Sequence, residues 1–127
     1  SDLAGYLFRE PAHYIRLGAP RILRATARKH GITGMKKIAG MAEAFGLNCE
    51  IGTAGNPHMN AANLHTICSI GNCDYYEWWM PAEAHQFGLV DHYGLNDRMT
   101  LEAPEMPGLG CQLDEDWIAA HRVATLE

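Results

Sequence analysis

Groups able to hold or move a proton fall at a few places along the chain: Lys29 and His30 side by side, His58 after a Gly/Asn/Pro-rich loop, and Glu77 in the run Tyr76-Glu77-Trp78-Trp79. A carboxyl group among three large rings is poorly solvated when ionised, which favours its protonated form and a role as hydrogen-bond donor. Turned toward packing helices instead, the same residue is only a paired carboxylate. Lys29, His30 and His58 can each serve as a general base where burial or a neighbouring charge tunes them; otherwise each is a solvated loop residue. Asn56, in a Gly-Asn pair, is either a turn former or a contact for a substrate hydroxyl. Asp2 offers a hard oxygen ligand suited to a divalent cation, or is an exposed terminal aspartate. His65 falls within a helical stretch, where packing is the expected role.

Composition narrows the chemistry further. The 127 residues suffice for one domain, and 47% apolar against 20% charged residues is the balance of a globular chain. A formal charge of -5 without a basic patch argues against nucleic acid. No apolar run reaches the roughly 20 residues of a membrane helix, and the polar start does not resemble a signal peptide. Cysteines 49, 68, 73 and 111 contain no C-x2-C pair, which argues against structural zinc and for free thiols in a reduced, cytoplasmic protein. No glycine-rich phosphate loop, G-x-S-x-G elbow or H-E-x-x-H helix occurs.

The elements that must carry these residues alternate. A short helix is expected over Pro11–Gly18 and a strand over Arg21–Thr26. Met35, Ile38, Ala39, Ala42 and Phe45 then recur at helical spacing, with Thr33 as expected N-cap and Gly46 as stop. Leu47–Ile51 reads as a strand and Asn60–Ile70 as a helix capped by Asn60, with Leu64, Ile67 and Cys68 inward. The aromatic run Asp74–Trp79 reads as a third strand. Strand, helix, strand, helix, strand with short connections predicts a parallel α/β sheet with right-handed crossovers. Beyond Met80-Pro81 lies a Gly/Pro-punctuated tail with a short helix over Glu115–His121, capped by Asp114.

Five phrases in order add a specific likeness. Gly31-Ile32-Thr33-Gly34, Ala42-Glu43-Ala44-Phe45-Gly46, Ala62-Asn63-Leu64-His65, Tyr76-Glu77 with Pro81, and Pro107-Gly108-Leu109-Gly110 with Asp114 and Trp117 resemble the C-terminal barrel half of the mandelate racemase/muconate lactonizing enzyme branch of the enolase superfamily. The resemblance implies a partial (β/α)8 TIM barrel, the last three βα units plus a C-terminal tail. Residues 1–98 would supply strands six to eight, and residues 99–127 would pack back on the barrel or cap. A complete barrel takes roughly 250 residues, so this chain supplies under half of one.

Such enzymes abstract the proton beside a carboxylate and stabilise the enediolate with Mg2+. The likeness puts Asp2, or Leu3 in an ungapped reading, at the strand-five metal ligand. It puts Thr26, or Ala25, where strand six carries the aspartate of the base dyad, and Gly52 where strand seven carries its histidine. Neither Thr26 nor Gly52 titrates near neutrality, which leaves them as substrate-site positions and Lys29, His30 or His58 as candidate bases. His30 replaces the first glycine of the usual pair. Glu77 matches the strand-eight glutamate that bonds the substrate carboxylate.

Two functions follow. In the first, the chain is part of a Mg2+-dependent acid-sugar dehydratase or racemase, with weak or no metal binding by itself and a small sugar acid as substrate. In the second, the missing dyad marks a non-catalytic relative kept for binding or assembly. With only three staves the sheet keeps open edges, so either self-association or union with the missing barrel half is expected.

Overall fold

The computed structural model describes residues 9–53 and 56–124. Asp2 lies outside that range. Helix α1 spans Arg9–Arg16, strand β1 Ile22–Ala25, helix α2 Ala27–Ala44, strand β2 Asn48–Ile51 and helix α3 Pro57–Ile67. A 3-10 turn at Ala82–His85 and helix α4, Glu115–Ala120, follow.

β1 and β2 pair in parallel, Leu23 opposite Cys49 and Ala25 opposite Ile51. Their alternation sorts the two faces. Leu23, Ala25, Cys49 and Ile51 are each at most 3% exposed. They meet Met35, Ile38, Ala39 and Ala42 from α2 and Ala62 from α3 in one core. Arg24, Asn48 and Glu50 occupy the opposite face and are only half-buried. This is the division expected of a barrel wall, apolar toward the helices and polar on the other face.

The α2 periodicity is read correctly from the sequence except at its ends. The helix begins at Ala27 rather than at the expected cap Thr33, because Ala27–His30 forms a first turn that Gly31 separates from the rest. Gly31 has φ 62° and ψ 172°, a backbone few side chains tolerate, and it kinks α2 between that first turn and the longer helix that follows. Phe45, counted with the apolar face, is 61% exposed because the helix has ended there, with Leu47 N–H bonding Ala42 O.

α3 likewise starts early. Asn56, not Asn60, is its cap: the Asn56 side-chain oxygen accepts from His58 N–H and Met59 N–H, and Pro57 fills the first helical position, where no N–H is needed. Asn60 is buried in the first turns. Leu64 is buried as expected, whereas Cys68 is exposed, since the helix closes at Ile67 and Cys68 caps it.

The expected third strand is not one. Asp74–Trp79 runs without a ladder, and among the described residues the sheet has two strands. Asn72 O accepts from Cys49 N–H, but beyond that the Glu50 carboxylate intercepts the N–H groups of Asp74 and Tyr75 at 3.4 Å each. Side-chain bonds thus stand where backbone bonds to β2 would build a strand. Past that segment the chain folds back on itself. Leu89 bridges Leu113, Trp117 stacks on Phe87, and Asp114 caps α4 through Trp117 N–H, as its place before the acidic turn predicted.

Candidate active site

A cleft of about 380 Å³ opens at the C-terminal ends of β1 and β2, lined by Arg24, Thr26, Arg28, Lys29, Gly52, Thr53, Glu77 and Trp79 among others. It brings together four of the residues singled out by sequence: Thr26, Lys29, Gly52 and Glu77. Asn56, His30 and His58 are not among its lining residues.

Asn63, outside the cleft lining, braces the two strand exits that border it. Fully buried on α3, it accepts from Ala27 N–H at 2.8 Å and donates to Gly52 O at 3.1 Å. One amide therefore fixes the exits of both strands. The Ala-Asn-Leu-His phrase marked this position, but the clamp depends on contacts 36 and 11 residues away. His65, from the same phrase, has its Nε2 3.1 Å from Leu109 O and so ties α3 to the Pro-Gly-Leu-Gly segment, in keeping with a packing role.

Glu77 faces the cleft. Its two carboxylate oxygens accept from the Arg24 guanidinium, in an ion pair, and from Thr53 N–H at 3.1 Å, while Thr53 Oγ1 donates to Glu77 O. The expected donor in an aromatic box is thus an acceptor beside a cation. Trp79 shares the cleft, and Tyr76 and Trp78 line an adjoining small cavity that Glu77 and Trp79 also border.

Arg24 carried no signal in the sequence beyond membership of a strand. Its place follows from parity, which turns it to the sheet face away from the helices, and from Gly52. A Cβ at position 52 would stand 2.6 Å from Arg24 Nη2, closer than such atoms approach. The missing side chain at Gly52 is the room the guanidinium occupies.

The other candidates are engaged locally. His30 Nδ1 lies 3.3 Å from Thr26 N and 3.2 Å from Thr26 O, folded back on the turn that precedes it. Thr26 Oγ1 is buried without a hydrogen-bond partner, as is His58 Nε2. Burial lowers the His58 pKa from its ordinary 6.5, favouring the neutral ring. Asn56 spends its side-chain oxygen on the α3 cap.

Residues 5–117 match the family model described as enolase C-terminal domain-like. The chain belongs to that family. Within the enolase superfamily it is 35% identical over 102 residues to a D-mannonate dehydratase of Caulobacter vibrioides, a stretch covering 78% of this chain and 25% of that protein. A mandelate racemase/muconate lactonizing enzyme structure from Sulfitobacter sp. superposes with a TM-score of 0.75 at 31% identity, covering 93% of this chain and 30% of that one. An enolase-superfamily structure from Salmonella Typhimurium gives 0.79 at 26% identity, covering 87% and 29%. The chain therefore spans about a quarter to a third of the length of these relatives. The enolase-type barrel accounts for the sorted faces of the two-stranded parallel sheet and for a cleft at its strand ends.

Proposed function

We propose that this chain is the strand-six to strand-eight part of an enolase-superfamily enzyme that eliminates water from a sugar acid. The observation that carries the reading is the convergence of Arg24, Lys29 and Glu77 in one cleft at the strand ends. Removing the proton beside a carboxylate places two negative charges on its oxygens, and a pre-oriented guanidinium is suited to receive them. Arg24 supplies that group, and Glu77 with Thr53 aims it. Lys29, the titratable base candidate that lines the cleft, takes the C2 proton and passes it to the C3 hydroxyl, which leaves as water; the enol then takes a proton at C3 from solvent and loses its O–H proton, giving a 2-keto-3-deoxy acid. The dehydratase relative supports this choice over racemisation.

Members of the superfamily generally use Mg2+. The described residues do not fit that ion: no group of three or more His, Cys, Asp or Glu comes together among them. The carboxylate in the cleft is paired to Arg24 beside two further cations. We propose that the metal ligands, Asp2 among them, come from chain outside the described residues.

Union with the other strands of a barrel, or with a second copy, would cover Tyr75, Met80 and Met99, which are 76%, 73% and 74% exposed. Light scattering on the isolated chain should then give a mass above 14.0 kDa; a monodisperse monomer counts against it. No helix among the described residues is long and apolar enough to cross a membrane, and the four free thiols are in keeping with the cytoplasm.

The test is solvent deuterium exchange at C2 and keto-acid formation by the full gene product with Mg2+ across a panel of sugar acids. Exchange with at least one acid is expected, and Arg24→Met should lower kcat/KM by about 10²-fold or more. Wild-type protein that exchanges none of them loses the reading. A second reading, a binding module without catalysis, is favoured by Thr26 and Gly52 at the expected dyad positions. Sugar-acid binding without exchange would select it.

A further inference from the structure

A small cavity adjoins the strand-end cleft at Glu77 and Trp79, residues that border both. Its volume is about 20 Å³, where a single water-sized group needs roughly 10–15 Å³. One hydroxyl therefore fits, and a carboxylate or a second sugar unit does not. The walls are largely aromatic, Tyr76, Trp78, Trp79 and Tyr93, with Trp79 held edge-on against His85. Such a lining covers carbon surface and leaves orientation to a few placed polar groups.

Gln86 is the placed group. It is 8% exposed, and its Nε2 donates to Tyr93 O at 2.6 Å, yet its Oε1 is buried with no partner among the described residues. A buried acceptor left unmade costs roughly 1–3 kcal/mol, so this oxygen calls for a donor. The phenols beside it have no proton to give. Tyr93 O–H donates to Pro57 O at 3.1 Å, and Tyr76, bonded to the Tyr93 hydroxyl, spends its own proton on that oxygen. Burial raises the pKa of both above the ordinary value and keeps them neutral. Glu77, the carboxylate on this wall, is already paired with Arg24, so no unpaired charge is left to hold an ammonium. The lining suits a neutral donor.

We propose that this cavity is a subsite for one hydroxyl of the sugar acid, beyond the reacting carbons, and that Gln86 reads it. The acid's carboxylate lies in the cleft with Arg24, its carbon chain passes over Trp79, and the far hydroxyl donates to Gln86 Oε1. Gln86 is thereby a specificity-determining residue. The proposal rests on the sugar-acid reading above and deepens it by requiring a hydroxyl at one position of the chain.

Calorimetry on the full gene product tests it, with D-gluconate, D-galactonate and the analogues of each that lack the hydroxyl at C4, C5 or C6 as probes. Wild-type protein should bind one of these analogues at least about tenfold more weakly than its parent, because that analogue leaves Gln86 Oε1 unpaired. Gln86→Met, of similar length, should erase this one difference and leave the other analogues at their wild-type ratios to the parent. The ratio is internal to each protein, so a general loosening of the segment weakens all the acids together and does not imitate the result. Equal binding of parents and analogues by wild type, the outcome if the cavity holds only an ordered water, overturns the proposal whether or not Gln86→Met folds. Binding of none of the acids overturns it too, as does a Gln86→Met protein that keeps the discrimination. The two readings fail separately. C2 exchange without a hydroxyl requirement removes this proposal and leaves the dehydratase reading standing; a hydroxyl requirement in binding without exchange does the reverse.

Discussion

Between Ile22 and Ile67 the chain runs strand, helix, strand, helix, and its two strands are sealed by helices on one face. Between Asp74 and Arg122 the same chain forms one 3-10 turn and one six-residue helix, and leaves Tyr75, Met80 and Met99 largely in the open. The first region satisfies its backbone by local repetition and its side chains by packing against each other. The second is held by particular polar bonds, Glu50 to the amides of Asp74 and Tyr75, His65 to Leu109 O, Gln86 to Tyr93 O. A wall packed on itself and a segment with large apolar side chains in the open thus lie next to each other in one short chain, and the candidate site sits where they meet.

The largest effect should come from the packed region. Leu23 is 1% exposed at the centre of the core, and Leu23→Ala should cost roughly 2–5 kcal/mol in urea unfolding. A cost below about 1 kcal/mol would mean that the wall is not the stable part. Asn63→Leu comes next. It leaves Ala27 N–H and Gly52 O buried and unpaired, at roughly 1–3 kcal/mol for each such group, so it should lower both the melting midpoint and substrate affinity. An Asn63→Leu protein that melts like wild type would refute the clamp.

Glu50→Ala sharpens the contrast from the other side. Hydrogen exchange should quicken at the amides of Asp74 and Tyr75, while protection in α2 stays unchanged, since the lost bonds are worth only about 1 kcal/mol. Loss of protection in both regions would show that they open together.

The smallest effect is one of pH. His58 has its pKa lowered in the fold by burial, so the unfolded chain binds more protons just below 6.5 than the folded one does. This contribution makes stability rise as pH climbs toward 6.5 and leaves it flat above. His58→Gln should remove that slope, measured as melting midpoint against pH; an unaltered slope would place its origin in other groups.

The thiols follow the same division. Cys49, in the core, has its pKa pushed up to about 12 by burial first and by its neighbours Cys73 and Glu50 after that. Cys73, at the junction, is raised to about 11, again chiefly by burial. Cys68, read from its spacing as inward, is exposed at the end of α3. Spacing identifies a helical face well in mid-helix and poorly in the last turn, where the chain departs from the helix axis.

Sequence by itself determined the wall. The three- and four-residue steps of Met35, Ile38, Ala39 and Ala42 and the alternation about Cys49 and Ile51 are local patterns, and local patterns fix which face of an element is buried. Five ordered phrases fixed the family for the same reason, each being legible within a few residues. Tertiary structure alone decided the site. Arg24 reaches Glu77 across 53 positions, Gly52 matters for the volume it leaves empty, and Asp74–Trp79 is kept from the sheet by a carboxylate on a neighbouring strand. Each is a meeting of residues far apart in the chain, and neither propensity nor spacing carries information about which distant groups will share a cleft.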